Sequence, residues 1–247
     1  MPGSKIACVT GWYGKLPARG DFISRSLPRA FVRRWDAWLQ SVIGSGSERL
    51  GPRWRECYSG APVWRFLLSP GLAAAGAVAG VLIPSADRVG RLFPLTLATV
   101  LAPTCVDLAK TLIAAEAWFA SLEAAAGAAL DPALDLDAHD ERIKAIVFPA
   151  DDVVRLEPGG GVAPMRPDES VGARAVHARL ELGDDGPAEE AILRLRGRLA
   201  KETEPCALWL TRGSEPFGEW ALATAGLPPD EQFCAMLDGD WQGHGWS

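Results

Sequence analysis

Phe31, Trp35, Trp38, Leu39 and Val42 recur at spacings of three and four, and this stripe constrains the 247-residue chain most. Such spacing puts five large apolar side chains on one face of an α-helix, with Arg33, Arg34 and Asp36 on the others. A face that wide must be covered by another layer of structure. Pro28 marks the helix start, where its missing N–H costs little. Gly44-Ser45-Gly46-Ser47 is read as its end. The covering layer is legible too. Ile6–Tyr13, Val63–Leu68, Ala75–Ile83, Leu95–Leu101 and Cys206–Leu210 are short apolar runs bounded by Gly or Pro, the pattern of buried strands.

Further helical segments are read at Arg49–Tyr58 (interrupted near Gly51-Pro52), Cys105–Ala129, Asp137–Val147, Ala188–Ala200 and Pro229–Leu237. Strands and helices alternate through the whole length. That pattern predicts a single α/β domain over residues 1–247, with helices on both faces of a central sheet. The run of strands between residues 63 and 101 predicts antiparallel pairing in part of a mixed sheet. Residues 150–172, centred on Gly159-Gly160-Gly161, are expected to form a flexible loop. Residues 239–247 form a tail rich in Gly and Trp.

The net charge of −6 argues against a nucleic-acid partner. It hides an asymmetry, +8 over residues 1–100 and −14 over residues 101–247. A basic N-terminal face would steer an acidic partner. The five cysteines are widely spaced without a C-x-x-C pair, which fits reduced thiols rather than disulfides or zinc. The N-terminus shows no secretory h-region, and the longest apolar stretch, Gly71–Ile83, is too short to span a membrane. A soluble chain is expected.

No catalytic pattern emerges. A phosphate-binding P-loop would need Gly where Val9 stands and Ser or Thr where Leu16 stands. Gly44-Ser45-Gly46-Ser47 falls short of a nucleophile elbow. His139, His177 and His244 have no metal-ligand spacing, and no cofactor is expected. The pairs Asp151-Asp152 and Asp184-Asp185 read as solvated turns. Most of the ten tryptophans are expected in the core, with Trp241 and Trp246 the candidates for an exposed interface.

Two charged loops stand out, Lys15 to Phe22 and Pro84 to Arg91. Gly20 is read as a position that permits positive φ, and Asp21 as an acceptor for nearby backbone N–H groups. Asp21 or Asp87 could pair with Arg19, Arg88 or Arg91 and pin the loops together. The same side chains could instead meet a partner. Lys15, Arg19, Asp21, Ser85, Asp87, Arg88 and Arg91 are therefore the candidate site.

Several segments in order carry a resemblance. They are Gly11-Trp12-Tyr13-Gly14-Lys15-Leu16-Pro17, Arg19-Gly20-Asp21-Phe22, Trp35-Asp36-Ala37-Trp38-Leu39, Gly80 to Ser85, Asp87 to Arg91, and Phe93-Pro94-Leu95-Thr96. Sparser matches follow at Leu208-Trp209, Gly213, Gly226-Leu227-Pro228, Phe233 and Met236-Leu237. The chain resembles TagF, the type VI secretion system-associated family. One departure is Leu210-Thr211, where the family often has a second aromatic after Trp209. The resemblance implies a three-layer α/β/α sandwich and a cytoplasmic, non-enzymatic protein. It also implies post-translational repression of type VI secretion by binding an FHA-domain scaffold, with no nucleic acid and no membrane insertion. Two other classes remain open: a hydrolase or transferase with a site assembled from dispersed residues, and a structural subunit of the apparatus.

Overall fold

The computed structural model describes residues 8–101, 107–149, 175–179, 206–214 and 217–246. Eight strands form one sheet: β1 (Thr10–Gly14), β2 (Ile23–Arg25), β3 (Trp64–Leu68), β4 (Val78–Ile83), β5 (Leu95–Val100), β6 (Ala175–Arg179), β7 (Cys206–Thr211) and β8 (Trp220–Ala225). Their order is β2-β1-β5-β4-β3-β7-β8-β6. Every pairing among the described residues is antiparallel. The α/β reading therefore holds, and the mixed sheet is corrected to an antiparallel one. The physical reason is connectivity. β3, β4 and β5 follow one another as a meander, and β7 turns directly into β8, so no parallel crossover is made between neighbours.

Helices cover both faces. On one side lie α1 (Arg29–Leu50), α2 (Trp54–Gly60) and α6 (Asp230–Asp238). On the other lie α3 (Leu108–Ala114), α4 (Glu116–Ala128) and α5 (Leu136–Ala145). The sheet is thus the middle of three layers. Strands buried on both faces must be apolar at nearly every position, which is why β3 to β5 read as continuous runs.

The stripe on α1 meets the sheet as predicted. Phe31, Trp35, Leu39 and Val42 are all fully buried. The Trp35 ring sits 4.8 Å from Phe66, and its Nε1–H donates to Thr96 Oγ1 at 2.8 Å. The helix does not end at Gly44–Ser47. It continues to Leu50, because Gly46 is where Trp54 crosses it; a Cβ there would stand 3.1 Å from the indole. The long helix expected from Cys105 is also two, α3 and α4, divided at Ala115 (φ −84°, ψ 20°).

The opposite layer holds a buried cation. Arg65 of β3 is 1% exposed and makes a fork to Glu123 of α4, Nε to Oε1 at 2.6 Å and Nη2 to Oε2 at 2.8 Å. It also bonds Glu116, which is shared with Arg212. Burial disfavours the guanidinium's charge, but these carboxylates outweigh it and raise its pKa.

The tail differs from expectation. Trp241 and Trp246 are buried, at 6% and 3% exposure, not presented to a partner. Trp246 Nε1–H donates to the Gln232 carbonyl at 2.9 Å, and the Trp241 ring packs 4.7 Å from Trp220. The readings at residues 150–172 and 188–200 lie outside the described residues.

Candidate functional site

The two charged loops meet at the end of the sheet where β1 leaves and β5 enters. Asp87 is the hub. Its side chain is fully buried, so its charge must be compensated locally. The Val89 and Arg91 backbone N–H groups donate to Oδ1 at 3.1 and 2.9 Å. Lys15 Nζ and Arg91 Nε reach Oδ2 at 3.0 and 2.6 Å. Burial alone would raise the pKa of this carboxyl. The four donors, two of them cations, outweigh burial and hold it well below the usual carboxylate range.

Around the hub the loops are sewn to each other. Ser85 Oγ donates to the Lys15 carbonyl at 2.7 Å, and the Arg88 N–H donates to the Arg19 carbonyl at 2.8 Å. Arg91 Nη2 donates to the Gly20 carbonyl at 2.6 Å. Tyr58 of α2 supports the base, its hydroxyl donating to the Ser85 carbonyl at 3.0 Å. Burial pushes the Tyr58 phenol well above its ordinary pKa, so it stays a neutral donor.

Lys15, Ser85, Asp87 and Arg91 thus hold the loops together. Arg19, Asp21 and Arg88 are placed otherwise. Their side chains are exposed at an open hollow of about 500 Å³. Among the described residues neither the Arg19 nor the Arg88 guanidinium has an ion-pair partner. Among the described residues Asp21 accepts no backbone hydrogen bond, and Gly20 does not take a positive φ; its carbonyl, not its flexibility, is what the loop uses.

Sequence reasoning missed Arg25, Phe22 as a wall, and Tyr58. Arg25 of β2 lines the hollow and is drawn toward α5, with Nη1 3.0 Å from Asp137 and 3.7 Å from Asp140. Asp140 is buried, which opposes ionisation. Lys144 at 2.9 Å and the Trp12 Nε1–H at 2.8 Å outweigh this and lower its pKa. Phe22 is 47% exposed, packs 4.7 Å from Phe93, and has Lys15 Nζ 5.1 Å from its ring centre. These contacts join residues far apart in the chain, and no local spacing signals them. Arg19 and Arg88 thus place two positive charges, without ion-pair partners among the described residues, at the rim of the hollow. Among the described residues, no group of three or more His, Cys, Asp and Glu could hold a metal ion.

Residues 11–146 match the family described as the TagF N-terminal domain, type VI secretion system-associated. The chain belongs to the TagF family. The matched TagF region runs from β1 to the end of α5 and contains both loops and the whole hollow. The TagF fold is also seen in the crystal structure of PA0076 from Pseudomonas aeruginosa PAO1. That protein is 33% identical, with a TM-score of 0.69 and 94% of each chain covered. No curated protein matches the chain by sequence. A TagF chain is type VI secretion system-associated, and none of the helices described in this one is long and apolar enough to cross a membrane.

Proposed function

We propose that this chain is a cytoplasmic, non-enzymatic regulator that represses type VI secretion after translation by binding an FHA-domain scaffold of the same system. The family supplies the secretion system. The observation that carries the binding reading is the contrast at the hollow. Arg19 and Arg88 have no ion-pair partner among the described residues, while the loops that bear them are fixed by Asp87, Lys15 and Arg91. Unpaired arginines on a fixed backbone are suited to an acidic surface, because the loops need no ordering on binding and no internal ion pair has to be broken.

The test is calorimetric titration of the purified chain with the FHA-domain protein of its own secretion cluster. It is run at about 50 mM and about 300 mM salt, where screening differs more than twofold in length. Binding that weakens with salt is expected, and Arg19→Glu/Arg88→Glu should abolish it at unchanged Tm. No binding at either salt overturns the scaffold reading. Binding that survives the double reversal places the interface elsewhere.

A further inference from the structure

We infer that the free edge of β2 is a docking rail on which an extended acidic segment of the partner adds to the sheet as a further strand. This deepens the regulatory reading above, and rests on it for the partner's identity. Among the described residues β2 ends the sheet, paired on one side only through Trp12↔Arg25, Tyr13↔Ser24 and Gly14↔Ile23. Phe22, Ile23, Ser24 and Arg25 all line the hollow. Successive side chains of a strand point to opposite faces, so the three consecutive β2 residues Ile23, Ser24 and Arg25 can border one hollow only along the backbone edge. The hollow therefore runs beside the unpaired N–H and C=O groups of β2.

The edge carries little of the usual protection besides its shortness. Natural edge strands are blunted by lysine, proline, a bulge or a covering element. Ile23-Ser24-Arg25 has no lysine or proline, Ser24 is exposed, and Arg25 is turned toward α5. Its one safeguard is length. Three residues give too few ladder bonds for a guest strand to hold by backbone alone, so a guest needs side-chain contacts as well. Arg19 and Arg88 provide them at the same hollow; among the described residues Asp21 is the only carboxylate lining it, and the neighbouring Asp137 is neutralised by Arg25. The half-exposed ring of Phe22 offers an apolar seat to an alternate side chain. Main-chain pairing with side-chain selection is the logic of strand addition. The occupant that fits is an extended segment with carboxylates.

The test uses the full chain and a synthetic ten-residue peptide of alternating Glu and Thr, capped at both ends. A control peptide carries the same glutamates with proline replacing the central threonines, keeping charge but losing backbone donors. The alternating peptide should bind at least tenfold tighter than the control and slow amide exchange at residues 23–25. Arg19→Glu/Arg88→Glu should weaken it at least tenfold. Equal binding of the two peptides, no slowing at residues 23–25, or no binding at millimolar peptide overturns the inference. The FHA-domain protein is run in parallel. If it binds and neither it nor the peptide protects the edge, the docking rail is wrong and the regulatory reading stands. If the peptide protects the edge and the FHA-domain protein does not bind, the rail stands and the scaffold is not its partner.

Discussion

A single buried carboxylate fixes the geometry of the candidate site. Asp87 takes two backbone N–H groups and two cations, so it is stable in the interior only while ionised. Its pKa is lower folded than unfolded. The stability it contributes is then complete above the unfolded carboxyl value of about 3.9 and fades as pH falls toward the folded value. Asp87→Asn should lower Tm by the same margin at pH 7 and pH 5, with the margin closing only below about pH 4. Thermal melts of both proteins across that range check it. A margin that closes between pH 7 and pH 5 would mean that some other group controls the loops. The sequence identified the cluster's members but not its wiring. The expected Asp–Arg pair forms between Asp87 and Arg91, but within one loop; the cation that ties the two loops is Lys15, itself nearly buried. Lys15 precedes Asp87 by 72 positions, and only the β1–β5 pairing brings their loops side by side.

At the scale of elements, α1 separates two glycines that look equivalent in sequence. Gly44 and Gly46 both sit inside the helix. Nothing lies within 4 Å of a Cβ at Gly44, whereas one at Gly46 would press on Trp54 at 3.1 Å and approach Cys234 Sγ at 3.7 Å. Gly44→Ala should therefore stabilise the protein by about 0.5–1 kcal/mol, since only backbone entropy changes. Gly46→Val should destabilise it by about 1–3 kcal/mol, because overpacking against Trp54 outweighs the small gain in helix propensity. Urea unfolding of the two variants reads both. No change in Gly44→Ala would show that the helix end is frayed rather than formed. The same pair explains why the sequence ended α1 too early: Gly-Ser-Gly-Ser is loop chemistry locally, and only the approach of Trp54 makes small residues necessary there. The apolar runs at β3, β4, β5 and β7 were legible because burial on both faces leaves no room for polar alternation. β2 was not, being three residues with one buried side chain. β8 was not either, because Trp220-Ala221-Leu222-Ala223-Thr224-Ala225 is mostly small residues without a strong strand preference.

Over the whole molecule, part of the charge asymmetry of the sequence is offset by ion pairs between its two halves. Arg25, Arg49, Arg53 and Arg65 of the basic half each pair with a carboxylate of the acidic half. A +8 segment therefore does not become a uniformly basic face. Arg33 remains exposed on α1. Arg19 and Arg88 are different, because they converge on one concave surface beside a free strand edge. Concave charge focuses a field and acts chiefly on the rate of encounter. On the proposed function, Arg19→Glu and Arg88→Glu should each slow association with the FHA-domain protein by about tenfold at low salt. Arg33→Glu should change it by less than about twofold, and the differences should shrink as salt rises, because added ions screen the field beyond roughly 10 Å. Stopped-flow association at two salt concentrations distinguishes the cases. Equal slowing by all three reversals would mean that overall charge, and not the hollow, guides the partner in. The interface would then have to be sought on α1, whose solvent face carries Arg29 and Arg33.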